Sequence, residues 1–302
     1  MKLYIAGPMT GIDDWNFPAF FNAEEQLKDL GYVVENPARH DGNTLEEALA
    51  TVGTLENPVE KWEFYIKRDL KYLLECAGLV LLPGWQNSRG ARLEVHIAKQ
   101  LKMPLFILRD GNLAPRITCI GLAGYAQAGK DTVAKTLIEN FGYKKVAFAD
   151  PIRKALLALN PRIEVSGMPM SLSSGVKSFG WDFLKTENTG VRELLQKFGT
   201  EVGRDLIDEN IWVTLTIDSI PDGSHVVFSD VRYPNEANAI KAAGGSIWRV
   251  NRPDIFGVND HESEHALKDY KFDIQINNVD TIDFLEDIVT TTMKENRHLW
   301  KI

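Results

Sequence analysis

The sequence predicts two α/β domains in tandem, each a doubly wound parallel sheet, and three observations carry that expectation. Apolar runs open at KLYIA near residue 2 and at ITCIGLAG near residue 117, each closed by glycine-rich punctuation and followed by helical periodicity. Strand-like and helix-like segments then alternate through both halves, as crossover connections between parallel strands require. The chain has 302 residues, 44% of them hydrophobic and 25% charged. That length and balance suit two globular domains and exclude a disordered polyampholyte or a fibrous repeat.

In the first domain the pattern predicts a strand over 2–6, a helix from Asn16 to Leu30 stopped by Gly31, and the strand YVVE. Helices near 44–51 and 59–76, the strand GLVLL, a helix over 90–101 and the strand PLFIL complete it. The polar stretch RDGNLAPR, residues 109–116, reads as the linker, placing the domains at 1–112 and 113–302. Beyond it the strands ITCIGL, KKVAFA, HVVFS, GSIWRV and FDIQIN alternate with helices starting near 130, 150, 189, 234 and 281. The Gly/Ser-rich stretch 166–180 reads as a mobile surface insertion.

Charge and cysteine usage narrow the partners. With 34 Lys plus Arg against 42 Asp plus Glu, the net charge is −8, so no cationic stripe is available to grip a nucleic acid polymer. Cys76 and Cys119 lie far apart without CxxC spacing, which points to a reducing, cytoplasmic setting rather than a disulfide or zinc framework. No apolar run approaches the ~20 residues that span a bilayer, so no membrane partner is expected.

The second opening carries the sharpest motif. Gly124-Tyr-Ala-Gln127-Ala-Gly129-Lys130-Asp131-Thr132 is a GxxxxGK loop between an apolar strand and a helix with Val133, Leu137, Ile138 and Phe141 on one face. Glycines let backbone N–H groups wrap phosphate oxygens, the helix N-terminus adds partial positive charge, and Lys130 reaches the β and γ oxygens. The hydroxyl expected for magnesium is Thr132, one place later than in GTPases, a GKxT spelling frequent in small-molecule and nucleoside monophosphate kinases. HVVFSD ends its strand in Asp230, placed to hold the metal or its waters, although a strand-end cap has the same spelling. Transfer to a phosphate acceptor needs converging cations. Arg153, Arg192, Arg204, Arg232, Arg249 and Arg252 lie in the segments expected to face the cleft.

FADPIRKAL, VRELLQKFGTEVGRD, SDVRYPNEA and the HESEH segment, around GYAQAGKDT, resemble the bacteriophage deoxynucleoside monophosphate (dNMP) kinases over most of 117–302. The resemblance implies a P-loop kinase fold, ATP and Mg2+ as cofactors, a dNMP acceptor and a lid from Arg252 to His265. By it Asp150 and Arg153 belong to the monophosphate-binding region, and Arg192, Gln196 and Arg204 line the acceptor pocket. His261, Glu262 and His265 lack a fourth ligand and do not read as a metal cluster.

In the first domain YIAGPMTG places Gly7, Pro8, Met9, Thr10 and Gly11 at the carboxyl edge of the sheet, where open α/β domains bind ligands. PGWQNSRGARLEVHIA sets Ser88 and Gly90 at a helix N-terminus flanked by Arg89 and Arg92, an anion site by dipole and donors, with Glu94 about one turn inside. An ordinary Ser N-cap with a first-turn acid has the same pattern. Tyr4, Asp69 and SRGARLE resemble the nucleoside 2-deoxyribosyltransferase superfamily over roughly residues 2–108, which implies a flavodoxin-like sheet. The resemblance makes Glu94 the nucleophile on the anomeric carbon and Asp69 the group assisting base departure. Ser88, where transferases of free nucleosides carry an Asp, makes the site more similar to the dNMP N-glycosidases, which read SxGxxxE. Departures are Cys76-Ala77-Gly78, without the acid often found there, and Gln86 in place of an acid common in phage relatives.

The expectation is a bifunctional, self-associating deoxynucleotide enzyme: a dNMP glycosidase domain joined to a dNMP kinase. A non-catalytic nucleotide sensor in the first domain, or another small phosphorylated acceptor for the kinase, are the alternatives.

Overall fold

A computed structural model describes residues 1–51, 58–125, 127–253 and 266–296. The chain forms two five-stranded sheets and a two-stranded hairpin. In the first domain β1 (Lys2–Ala6) is followed by α1 (Phe17–Asp29), β2 (Val33–Glu35), α2 (Leu45–Thr51), α3 (Pro58–Leu73), β3 (Gly78–Leu81), α4 (Arg89–Gln100), β4 (Leu105–Arg109) and β5 (Asn112–Pro115). The sheet order is β2-β1-β3-β4-β5, parallel except for β5.

That exception corrects the expected linker. Asn112–Pro115 pairs antiparallel with β4 across the turn at Asp110 and Gly111, both at positive φ, so it closes the first sheet instead of leaving it. The change of sheet falls at Arg116 and Ile117.

Side-chain alternation along β1 and β3 sorts two cores. Leu3, Ile5, Val80 and Leu82 pack against Phe17, Phe20 and Leu27 of α1. Tyr4, Ala6, Leu79 and Leu81 face Ala91, Val95 and Ala98 of α4 on the other side. The two neighbours of β1 are reached in opposite directions, which leaves a crevice at the carboxyl ends of β1 and β3.

The second domain runs β6 (Thr118–Ala123), α5 (Lys130–Phe141), β7 (Lys144–Val146), α6 (Asp150–Leu159), β8 (Arg162–Val165), β9 (Met168–Ser171), α7 (Leu172–Glu187) and α8 (Thr189–Lys197). A π-helical segment, Phe198–Ile207, leads to α9 (Ile211–Ser219), β10 (His225–Phe228), α10 (Pro234–Ala242), β11 (Ser246–Asn251), β12 (Ile274–Asn277) and α11 (Ile282–Glu295). All strands of the sheet β12-β11-β6-β10-β7 are parallel. Ile120, Leu122, Val227 and the fully buried Trp248 pack under α5 and α11, whereas Cys119, Val226, Phe228 and Ile247 pack under α9 and α10.

The stretch expected as a surface insertion is ordered. Ser166 and Gly167, at φ 52 and 77, make the tight turn of the β8–β9 hairpin, and Ser171 caps α7 by accepting from the Ser174 N–H. Gly175 serves packing: a Cβ there would stand 2.9 Å from Ile163 Cδ1. Leu172 and Leu184 are buried with Leu156, Val165 and Val191 in a separate small core. Among the described residues no helix is long and apolar enough to cross a membrane.

Candidate functional sites

A cavity of about 510 Å3 opens at the β1/β3 crevice, with Trp15, Phe17, Phe20, Trp62 and Tyr65 on one side and Asp41, Asp69, Ser88 and Glu94 among its polar groups. The alternation that turns Tyr4 toward α4 delivers its hydroxyl to Glu94, donating to Oε1 at 2.7 Å. Glu94 is 6% exposed. Burial pushes its carboxyl up to about 8, the Tyr4 hydrogen bond opposing and the charge of Asp69 reinforcing the shift. Burial also raises the Tyr4 phenol well above its ordinary value, so Tyr4 stays a donor.

Asp69 Oδ1 accepts from Arg68 Nε at 3.0 Å and faces His40 Nδ1 at 3.4 Å. His40 Nε2 lies 2.7 Å from Glu35 Oε1, and its ring stacks tilted on Tyr72 with centroids 4.1 Å apart. Burial alone would lower the imidazole pKa, but the hydrogen bonds to Asp69 and Glu35 outweigh it and the net shift is upward. His40 therefore bridges two carboxylates, Glu35 and Asp69, the second of which lines the cavity. His40 belongs to no motif in the sequence. Its only signal was a histidine one turn past the carboxyl end of β2. The turn is held from a distance: Asn36 Nδ2 and Arg39 Nε donate to the buried Glu24 of α1 at 2.8 and 2.6 Å.

Ser88 is the N-cap of α4, its Oγ accepting from the Ala91 N–H at 3.3 Å. Arg89 lies over the Trp62 ring at 3.7 Å, whereas Arg92 is exposed and outside the cavity lining. Gly7, Met9 and Thr10 line the cavity. Pro8 is buried behind them, its carbonyl accepting from Asn16 Nδ2 at 2.9 Å, and Gly11 turns away at φ +82. A Cβ on Gly7 would stand 2.9 Å from Leu82 Cβ, so close strand packing demands that glycine. Gly90 differs: a Cβ there meets nothing nearer than 3.9 Å. Packing within the protein therefore does not require a glycine at 90. Gly90→Ala is expected to leave the melting temperature unchanged or slightly higher, by up to ~1 kcal/mol of helix propensity. If the α4 N-terminus receives a phosphate, the added methyl should nevertheless weaken binding of deoxyribose 5-phosphate, which calorimetric titration would measure.

In the second domain Gly124 and Gly129 occupy left-handed backbone at φ +139 and +106, flanking Gln127 at φ 62. A Cβ at Gly124 would stand 2.3 Å from the Val250 carbonyl, and one at Gly129 2.7 Å from Asn278 Nδ2. Asn278 in turn donates to the Ala128 carbonyl at 2.9 Å, fastening the loop to the end of β12. Lys130 Nζ donates to the carbonyls of Gly124 and Tyr125 at 2.7 and 2.8 Å. Lys130 also lines two neighbouring cavities. One, about 320 Å3, includes Gln127, Gly129, Asp131, Thr132 and Arg252; the other, about 60 Å3, includes Gly124, Asp230, Arg232 and Arg249.

The remaining arginines are dispersed. Asp230 pairs with Arg232 Nε at 2.8 Å. Arg204, over the Tyr233 ring, reaches buried Glu236 at 3.2 Å, and Glu236 also accepts the Arg232 backbone N–H at 2.8 Å. Arg204 thus stands one residue removed from the smaller cavity. Asp150 accepts from the Ala147 N–H and from Arg153 on the first turn of α6, and Arg192 and Gln196 are exposed on α8. None of these four lines either cavity. His261, Glu262 and His265 lie outside the described residues.

The loop fits a nucleotide with a hard cation. Its two glycine positions admit no Cβ, and Thr132 and Asp230 are oxygen donors on either side of Lys130. No group of three or more His, Cys, Asp or Glu that could hold a metal occurs among the described residues. A cation shared with phosphate oxygens needs only one or two protein ligands.

Residues 1–107 match a family described as "Domain of unknown function (DUF4406)". Residues 172–289 match the family described as "Deoxynucleotide monophosphate kinase". Among solved structures, a Bacillus psychrosaccharolyticus 2-deoxyribosyltransferase aligns over 35% of this chain and 71% of its own at 20% identity and a TM-score of 0.27. A Campylobacter jejuni dephospho-CoA kinase aligns over 62% and 100% at 14% identity and a TM-score of 0.33. A 52-residue stretch is 42% identical to the deoxynucleoside-5′-monophosphate kinase of Escherichia phage T5, covering 17% of this chain and 21% of that protein. An Acanthamoeba polyphaga mimivirus protein named as a deoxynucleotide monophosphate kinase is 31% identical over 190 residues, 57% of this chain and 94% of that protein. With nearly the whole of that relative matched beside a glycine-bound loop closed on Lys130, the chain belongs, through its second domain, to the deoxynucleotide monophosphate kinase family.

Proposed function

We propose that the second domain transfers the γ-phosphate of ATP to a dNMP, and that the first cleaves the N-glycosidic bond of a nucleoside 5′-monophosphate. For the kinase the carrying observation is Lys130 standing between the two cavities. ATP would occupy the side of Gly129, Asp131 and Thr132, with the acceptor phosphate toward Arg232 and Arg249. Magnesium held by Thr132 and Asp230 would offset phosphate charge when bound. Arg232, Arg249 and Lys130 cancel repulsion between two anionic groups, so no strong base is required.

For the first domain the carrying observation is the Tyr4–Glu94 pair, which shares a cavity with Asp69 and the Ser88 helix end. The 5′-phosphate would lie against the N–H groups at Ser88–Gly90, which presents C1′ of the sugar to Glu94. The Glu94 carboxylate attacks C1′, the C1′–N bond breaks with its electron pair going to the base, and the base takes a proton on the Asp69–His40 side. Water then hydrolyses the glycosyl ester. Both domains would draw on one substrate pool, removing some monophosphates while phosphorylating others.

The raised Glu94 pKa favours a second reading, a sensor in which Asp69 and a protonated Glu94 bind ribose hydroxyls without chemistry. Incubating the full chain with each dNMP and ATP, and resolving free base, dNDP and unchanged substrate, separates the readings. A nucleophile must be ionised, so kcat/KM for base release is expected to climb with pH and level off above about 8. Binding without base release from any dNMP between pH 6 and 9 would support the sensor.

A further inference from the structure

The second domain meets the turn beside the first domain's site through the carboxylate of Asp222. Asp222 lies on the turn between α9 and β10. Its Oδ2 accepts from Trp85 Nε1 at 2.8 Å and from Gln86 Nε2 at 2.9 Å, both in the first domain. Its Oδ1 accepts from Arg116 Nη1 at 3.1 Å. Arg116, 4% exposed at the junction of the two sheets, also donates to the carbonyls of Ile217 and Ile220 at 2.8 and 3.0 Å. Its own carbonyl accepts the Gly223 N–H at 2.7 Å. A carboxylate taking three N–H donors, one of them from a buried guanidinium, is tightly fixed.

What it fixes is the turn Trp85–Asn87, which leads directly into the Ser88 cap. The Ser88 N–H donates to the Trp85 carbonyl at 3.0 Å, and Trp85 is buried against the sheet face that carries Tyr4. On the other side of the turn Gly84, at φ +80, lies against Pro8 of the loop after β1. A shift of this turn would move both the Ser88 helix end and the loop after β1, which line the cavity. Gln86 suits the contact because its amide donates; an acid at 86 would set two carboxylates at hydrogen-bond distance.

We infer that Asp222 is a positioning residue for the first domain's site, so that the kinase domain supplies the part that holds the Ser88 helix end in register. This rests on the reading of that helix end as the 5′-phosphate subsite. In the full chain, Asp222→Asn and Asp222→Ala are expected to raise KM for base release from a dNMP roughly tenfold or more. KM for the matching deoxynucleoside, which lacks the phosphate, stays unchanged, as does kcat/KM of the kinase, which also reports folding. Gln86→Glu reproduces the defect by setting a second carboxylate against Asp222. Equal losses on both substrates, or wild-type KM throughout, would overturn the inference.

Should the wild-type chain release no base, the catalytic reading fails and the positioning role is judged by binding alone. The Trp85 indole 15N–H resonance, assigned with Trp85→Phe, is followed while deoxyribose 5-phosphate is titrated into wild type and Asp222→Asn. A roughly tenfold weaker Kd in the variant is expected, a difference of about 1.4 kcal/mol. Equal affinity, or no binding to either chain, would overturn it.

Discussion

Glu94→Gln is expected to lower base release by at least about a thousandfold, because an amide cannot form the glycosyl ester and no second nucleophile stands beside Tyr4 in the proposed mechanism. The same change should stabilise the fold at alkaline pH. In the folded chain Glu94 holds its proton up to about 8, whereas the ordinary value is 4.5. Between these values the folded chain binds more protons than the unfolded one, so stability falls as pH rises and the penalty is complete above about 8. A shift of that size corresponds to on the order of a few kcal/mol. Glutamine escapes the penalty while keeping an acceptor for the Tyr4 hydroxyl. Melting wild type and variant at pH 5 and pH 9 should therefore show little difference at the first and a clear advantage for the variant at the second. No advantage at pH 9 would mean that the Glu94 carboxylate is not desolvated in the fold. Undiminished base release would place the nucleophile elsewhere.

What the sequence discloses of this site follows from periodicity. KLYIA alternates, so Tyr4 and Leu3 must face opposite sides, and an acid one turn into α4 must face the sheet if Ala91, Val95 and Ala98 do. His40 and Asp222 escape such reasoning because neither lies on a periodic element that points at the cavity. His40 is placed by a turn fastened to Glu24, and Asp222 by the buried Arg116, contacts that span 15 or more residues of chain. The stretch 166–180 fails for a different reason. Glycine and serine read as loop by composition, yet Gly175 is small so that Ile163 can pack on it, and Ser171 is a helix cap. The arginines divide in the same way. Arg232 follows β10 and Arg249 lies within β11, in register with Ala123 of β6, so topology delivers both to the cavity that Lys130 lines, whereas Arg192 sits on the exposed face of α8, where no strand register constrains it.

Lys130→Ala is expected to reduce dNDP formation roughly a hundred- to thousandfold, the scale on which a single pre-positioned charge stabilises a developing anion. The loss should fall mainly on kcat. Lys130 Nζ lies against the carbonyls of Gly124 and Tyr125, so it needs little rearrangement to meet phosphate oxygens held by the same loop, and its charge is used most as the phosphoryl group passes between the two cavities. Lys130→Arg restores charge but not shape, since a planar guanidinium cannot replace a compact ammonium between two adjacent carbonyls. It should recover only a small part of the rate. Base release, in a different sheet, should stay within about twofold of wild type, because separated sites without shared contacts behave independently. The converse holds for Glu94→Gln, whose kinase rate should be unchanged. Two variants that each silence one product and spare the other would establish two active sites on one chain. A common loss would instead mean that both products arise from a single nucleotide site, and dNDP formation at the wild-type rate by Lys130→Ala would move the phosphoryl-transfer site away from this loop.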